Sequence, residues 1–513
     1  AIESLRAATG PDQRVRDVLL PRLAPESLLG SRYPLGDSES IRKLSRDDLL
    51  AYYRQRYTPS AATILVAGDV DPRAALAMIQ KSFAPLPPGP PAEPAHPRIK
   101  PYEKPFALVA SDPEITGCTV EIGRMDKPRA AITTLADLRR DTVNRLALSA
   151  FQRRLERRVE RGEAPYVAPD AWSVGLFSAA TYSYVRVDGP ADACGDIIFD
   201  VTRELERVRR HGFSDQDLED ASRALLARSR REARVEEGLD SAAVLHRMSR
   251  TVGHGDTLLS ESQLLSLRER FLHDIKPAEL TEALSRLIDP RRSVYIAILG
   301  DTEDAPDERR ILEVASAAAN ADVPALPRRE RPDALMADAP KPGAVVDAAL
   351  DAPSGVLSVW LDNNIRIHHR RMTRRPGEVA VVVTVAGGRL QEDEQTHGFT
   401  DASTVVFDRP AAKSRTSTEI RDLLLSADLE FSSSMTSDAI HFHIRGGVDD
   451  LEAGLKTAHL LLTEPRVEEP ALRRWRLEES RAVARRSGEP GAMLSEIIPR
   501  LLPQPDIRIL PLT

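Results

Sequence analysis

Ala62-Thr63-Ile64-Leu65-Val66-Ala67-Gly68-Asp69 and Val294-Tyr295-Ile296-Ala297-Ile298-Leu299-Gly300-Asp301 are the two stretches that decide the fold. Each is a short apolar run closed by Gly-Asp, the pattern of a buried strand ending in a turn. Before the first, Ser45 offers an N-cap ahead of Asp47 and Asp48, and Leu49, Leu50, Tyr53 and Tyr57 fall at helical spacing until Thr58-Pro59 stops the helix. After it, Asp71-Pro72 launches an amphipathic helix through Ala75, Leu76, Ile79 and Phe83. The plan returns around the second stretch: Leu280 lies in a helix, Asp289-Pro290 ends it, and another helix follows Gly300-Asp301. Leu49 to Pro59 and Leu280 to Pro290 are both ten residues apart, while Pro59 to Gly68 is nine and Pro290 to Gly300 is ten. One such unit is common in α/β proteins; two at matching offsets indicate a duplication, and they predict that 62–67 and 293–299 occupy equivalent places in equivalent sheets.

Between the copies, Cys118 to Ile122 and Thr181 to Val187 alternate like half-buried strands, and helices are expected over about 132–161, 191–211 and 214–236. The resulting class is α+β, each repeat a mainly antiparallel sheet with helices packed on one face. Pro85 to Pro97 is too proline-dense for a helix or a central strand, so it reads as an interdomain linker. A second proline-rich shift begins near Ala321. The expected divisions are residues 1–90, 98–320, a linker at 321–353, and 354–513.

A chain of 513 residues exceeds a single core and suits several domains. Its 42% hydrophobic and 29% charged residues are those of a globular protein, and no apolar run reaches the roughly 20 residues of a membrane helix. The net charge of −7 and an aromatic content of 4% argue against nucleic acid as partner. The basic clusters Arg228 to Arg234 and Arg370 to Arg375 read as solvated surfaces among neighbouring acids. Cys118 and Cys194 are too few for a disulfide framework and have no zinc-site spacing, which leaves the compartment open. The chain opens on Ala1 with no basic stretch and apolar core after it, so it reads as processed or excised, and no signal peptide is visible.

Gly30-Ser31-Arg32-Tyr33-Pro34-Leu35-Gly36, Tyr57-Thr58-Pro59 and Val66-Ala67-Gly68-Asp69-Val70-Asp71 together resemble the M16 (pitrilysin/insulinase-like) zinc metallopeptidases at the end of that family's first domain. Residues 98–320 resemble its second domain. Leu361-Asp362-Asn363-Asn364-Ile365-Arg366-Ile367 resembles the hairpin that opens another half, with Asn364 where Gly is usual, a substitution that a left-handed residue tolerates. Val379 to Val385, Ser414 to Glu419 and Ala439 to Ile444 continue the pattern.

The resemblance implies a clamshell endopeptidase that acts on a peptide or unfolded protein, added as a strand to a sheet edge. It also implies a possible companion subunit and, since many bacterial relatives are exported, a periplasmic location. Active members bind zinc through His-x-x-Glu-His on one helix plus a downstream Glu, the helix Glu serving as base for the zinc-bound water. That motif is absent from this sequence. In the third block it should begin three residues after Gly398, where Asp401-Ala402-Ser403-Thr404-Val405 stands, so Asp401, Thr404 and Val405 occupy degenerate zinc-motif positions. Glu478 and Glu479, near the place of a third ligand, read as solvated helix carboxylates. Glu3 is the nearest carboxylate to the third-ligand position of the first domain, and an ungapped reading puts Ser4 there instead. Zinc is thus implied for the intact protein, with ligands mostly outside this chain and none expected in this segment alone. The rival reading is a non-catalytic homologue with a structural or substrate-recognition role.

The remaining histidines carry bland alternatives. His441 and His443 alternate on one side of a strand without a third ligand, His368-His369 read as a solvated hairpin, and His254 between Gly253 and Gly255 reads as a loop residue. No Gly-x-Ser-x-Gly elbow occurs, and Gly387-Gly388 lacks the lysine of a phosphate loop.

Overall fold

The computed structural model describes residues 10–31, 38–89, 98–236, 238–301, 305–373, 377–488, 497–498 and 501. Glu3, Ser4, most of the Gly30 to Gly36 turn and residues 90–97 of the first proline-rich stretch lie outside the described residues. Helix α1 (Pro11–Leu23) is followed by α2 (Arg46–Arg56) and α3 (Pro72–Phe83). The caps form as the sequence predicts. Ser45 and Asp48 make a capping box on α2, and Asp71 accepts from the Ala74 N–H at 2.8 Å on α3. The expected strand between them does not form: residues 62–67 belong to no sheet, and Ile64 and Val66 are 42% and 48% exposed. A strand exists only as part of a ladder, and no described strand lies beside this one.

The second copy behaves differently because its partners are present. Strands β1 (Phe106–Ser111) and β2 (Cys118–Asp126), helix α4 (Leu135–Glu160), strands β3 (Val167–Leu176) and β4 (Ala180–Gly189), helices α5 (Cys194–His211), α6 (Asp215–Glu236), α7 (Ser241–Gly253), α8 (Glu261–Leu272) and α9 (Pro277–Leu287), strand β5 (Val294–Leu299) and helix α10 (Glu308–Asn320) make one unit. Its five strands run in the order β1-β5-β2-β4-β3. β5 pairs parallel to β1, Leu108 opposite Ile296, and antiparallel to β2, Ile122 opposite Tyr295; the remaining pairs are antiparallel. Alternation along β5 splits its side chains between two cores. Tyr295, Ala297 and Leu299 join Phe151, Leu155, Ile197 and Ile198 beneath α4 and α5, while Val294 and Ile296 face Val15, Leu19 and Leu23 of α1. The face opposite the main helix layer is therefore partly covered by a helix from the first block.

Cys118 and Cys194 form a disulfide, with Cα atoms 5.8 Å apart. Two cysteines make no framework, but 76 residues apart in sequence they meet where β2 starts and α5 begins. Sequence spacing could not foresee that adjacency.

In the remainder, β6 (Val345–Asp351), β7 (Val356–Leu361) and β8 (Arg366–Arg370) form one antiparallel sheet. Strand β9 (Glu378–Ala386), helices α11 (Phe399–Ser403) and α12 (Ser417–Leu424), strands β10 (Leu429–Met435) and β11 (Ala439–Gly447), and helices α13 (Leu451–Thr463) and α14 (Glu469–Gly488) follow, with a second sheet in the order β10-β11-β9. Asn364, at φ 67°, adopts the expected left-handed conformation between β7 and β8. The segment expected to link the halves is not all linker. β6 occupies its end, held by antiparallel pairing with β7 across the Asp351 to Gly355 turn. Its beginning is docked: Gln216 and Arg329 exchange side-chain-to-backbone hydrogen bonds, and Arg207 donates to the Pro324 carbonyl at 2.9 Å.

The Arg228 to Arg234 cluster is likewise not simply solvated. Arg228 pairs with Glu232 on its own helix, but Arg231 and Arg234 reach Asp428, only 2% exposed, just before β10. A larger charged seam joins α4 and α6 to α12. Arg153 donates to Asp422 at 2.9 Å, Arg154 to Asp217 at 2.9 Å, and Arg157 to Asp220, which also receives Arg329 and Arg331. Burial, then repulsion from Arg153 and Arg329, pushes Arg157 down to about 10, still protonated at neutral pH. These are buried pairs, costly to open on one side only.

Candidate functional site

Helix α11 and the turn after it hold Asp401, Thr404 and Val405, the positions expected from the sequence to be a degenerate zinc motif, and their geometry is that of a capped, neutralised turn. Gly398 precedes it in the left-handed conformation at φ 85°. Glu392 folds back on the helix start, its carboxylate accepting from the Gly398 and Thr400 N–H groups at 3.2 and 2.8 Å. Burial would raise the Glu392 carboxyl, but its bonds from Thr400 and Gly398 and the nearby His397 outweigh that and hold it low. Asp401 receives Arg389 Nη2 at 2.7 and 3.1 Å. Thr404 donates its hydroxyl to the Asp401 carbonyl at 2.7 Å, and Val405 is buried. These three residues do not fit a zinc ion: the carboxylate is engaged by a guanidinium, the hydroxyl is committed to a backbone carbonyl, and the third group is an alkyl. Among the described residues no three His, Cys, Asp or Glu side chains cluster as a metal site. Glu478 accepts from Arg474 at 2.6 Å and is half exposed.

The histidines have ordinary partners. His441 Nδ1 lies 3.0 Å from the Thr384 hydroxyl, His443 Nε2 is 2.8 Å from that of Ser434, and His368 Nδ1 is 2.9 Å from that of Ser358. His254 ends α7, with Nδ1 2.6 Å from the Arg250 carbonyl.

A different feature went unread in the sequence. A cavity of about 890 Å³ lies between α4, the edge strand β3 and helices α6, α8 and α9. Residues Ala171 to Gly175 of β3 and Thr181 and Ser183 of β4 form one wall, Leu225 of α6 and Leu287 of α9 add apolar surface, and seven Arg and Lys residues line it against three carboxylates. Those residues come from widely separated parts of the chain, so no local pattern announces them; the one available signal is the arginine content of the helices, which reads as surface.

Residues 43–225 match the family described as the Peptidase M16 inactive domain. Among curated relatives it is 22% identical over 374 residues to the "Probable zinc protease PqqL" of Escherichia coli K12, covering 71% of this chain and 39% of that protein. It is 21% identical over 479 residues to the chloroplastic stromal processing peptidase of Arabidopsis thaliana, covering 75% and 38%. The chain thus spans about two-fifths of the length of these relatives. The solved structure of the periplasmic protease PqqL from E. coli superposes with a TM-score of 0.59 at 17% identity, covering all of this chain and 57% of that one. A mutant of the ferredoxin protease FusC, solved in complex with Arabidopsis ferredoxin, gives 0.61 at 16% identity, covering 99% and 57%. At these identities the superpositions establish the fold: α+β sheets of M16 type.

Proposed function

We propose that this chain is a wall-forming portion of an M16 zinc metalloendopeptidase whose zinc ligands lie mostly outside it, with Glu3 as the one ligand candidate it contributes. In this reading residues 1–90 complete a first domain, 98–320 form the second, 321–353 join the halves, and 354–513 begin a third domain in which Asp401, Thr404 and Val405 stand where zinc ligands would be. The observation that carries it is the match of residues 43–225 to the family's inactive domain, together with the Arg389–Asp401 pair at the degenerate position. Substrates are peptides or unfolded proteins, which can add to a free sheet edge such as β3. A periplasmic setting is supported by the printed location of the PqqL relative and by the Cys118–Cys194 disulfide, since such bonds persist in oxidising compartments. The test is metal analysis and cleavage of a quenched peptide by the intact gene product. About one zinc per chain and chelator-sensitive cleavage are expected; a metal-free, inactive product favours the second reading, a recognition subunit beside an active companion. The observation favouring that alternative is again Asp401, already neutralised by Arg389.

A further inference from the structure

We propose that residues 321–336 are a fixed strap rather than a hinge: clamped on α5 and α6 at one end and plugged into the core of the third block at the other, they hold the second and third blocks as one body, with Asp220 as the lock. Such a strap is independent of the peptidase reading and goes beyond it. Any opening between halves of the intact protein is then carried by other segments.

The composition of the strap suits docking. Pro324, Pro327 and Pro332 keep it extended and leave it little freedom to lose, and Arg329 and Arg331 stand among them. Its buried apolar residues are Val323 and Leu335, 2% and 8% exposed, one near each end. The second block receives its main chain. Arg210 donates to the Ala321 carbonyl and Arg207 to that of Pro324, each at 2.9 Å, and the His211 ring lies 2.6 Å from that of Val323. Gln216 and Arg329 exchange two hydrogen bonds, at 2.8 and 3.0 Å. Extended backbone outside any ladder has its polar groups satisfied by side chains instead.

Asp220 of α6, 2% exposed, receives Arg157 of α4 together with two strap residues, Arg329 at 3.0 Å and Arg331. Lifting the strap would take two of three guanidiniums from a buried carboxylate, a far larger loss than that of a surface pair. Four residues beyond Arg331, Leu335 enters a core whose other buried members, Ala412, Ile420 and Leu460, belong to the third block, and Arg415 donates to the Ala334 carbonyl at 3.1 Å. Four residues span no more than about 14 Å. The third-block core therefore cannot move away from Asp220 unless Leu335 is drawn out of it or Arg331 is pulled off the carboxylate. Helix α12, which supplies Ile420, is also held directly by α4, through Arg153 to Asp422 at 2.9 Å and Thr418 to Glu160 at 2.8 Å.

Hydrogen exchange and a spin-label distance test the strap in the 1–513 chain, with no readout of activity. Amides of 322–336 should exchange at least about tenfold more slowly than those of 338–344. Arg329→Gln combined with Arg331→Gln should speed exchange of the strap about tenfold or more, while Arg328→Gln, at an exposed neighbour, should leave it unchanged. Nitroxides at Arg310→Cys on α10 and Glu452→Cys on α13, both exposed and with the native cysteines closed in their disulfide, should give one narrow distance that broadens in the double variant. The double variant leaves Arg157 on Asp220; should it still disturb the fold, Gln216→Ala keeps every charge and is expected to speed strap exchange about threefold or more. A strap that exchanges as fast as 338–344, equal effects of Arg328→Gln and the double variant, or a distance broad in the parent chain or unmoved in the double variant would each overturn the proposal.

Discussion

Residues 62–67 and 294–299 carry the same message in sequence and meet opposite fates in the structure. Both follow a proline stop and precede Gly-Asp and a helix. In the second copy β1 and β2 flank the run, both faces are covered, and Ile296 is 1% exposed. In the first, no described strand pairs with the run and Ile64 stays open to solvent, as do Leu49 and Tyr53 on α2, Tyr57 at its end, and Leu76 and Phe83 on α3. Side-chain caps, which are local, form on α2, α3 and α10; the strand, which is not, forms in one copy. Helix ends are settled within a few residues of sequence, whereas a ladder needs a partner chain segment.

The comparison is broken most directly by paired truncations. Ile296→Ala should destabilise the 1–513 chain by about 2–5 kcal/mol in denaturant unfolding, because it leaves a cavity between two packed layers. Ile64→Ala should shift it by no more than about 0.5 kcal/mol. Equal costs would show that 62–67 is buried after all. Hydrogen exchange sharpens the point: the amides of β5 should be protected and those of 62–67 should exchange freely, until a segment that pairs with them is supplied.

Replacing Cys118 and Cys194 by alanine should cost the second block about 2–4 kcal/mol, read as a lowered unfolding midpoint, while α2 and α3 keep their helicity. A smaller, pH-dependent loss follows from the charged seam. Burial would raise Asp217 and Asp422, but Arg154 holds the first and Arg153 the second below the ordinary value of 3.8. A carboxyl depressed in the folded state stabilises fully above its unfolded value and loses that contribution as pH falls through the folded one. Stability of the second block and its contact with α12 should therefore hold down to about pH 4 and decline below it. An acid unfolding curve unchanged by Asp422→Asn would contradict this. The smallest effect separates local from global stability: Thr134→Ala at the start of α4 should cost about 1 kcal/mol of the main transition. Asp71→Ala should fray α3 alone, seen as lost helical signal with no shift in midpoint.

Much of this was legible because it was local or periodic. The run at 294–299, the capping residues Ser45 and Asp71, the left-handed Asn364 and the strands around Val382 and Phe442 all announce themselves within a window of a few residues. β3 did not, since Pro169, Asp170 and Gly175 interrupt its alternation and it is held by pairing with β4. β6 was hidden by the prolines around it. The docking of Arg231 and Arg234 on Asp428, the Cys118–Cys194 bond and the cavity joining Trp172 to Arg268 are products of topology. Each joins residues that only the folded chain brings together.

The disulfide has a consequence for how this region fails. It closes a covalent ring around α4, β3 and β4, so a single protease cut anywhere between Cys118 and Cys194 yields two polypeptides that remain one molecule. On a gel without reductant such a nicked chain migrates near its uncut weight, and thiol separates it into two bands. Cleavage at the exposed turn around Phe177 and Ser178 would leave β2 and α5 still tethered at their starts, with the helix layer seated on the sheet. In a surrounding rich in peptidases, this keeps the pieces of a nicked hairpin covalently joined, where the same cut in an unbridged hairpin would leave them held by non-covalent contacts alone.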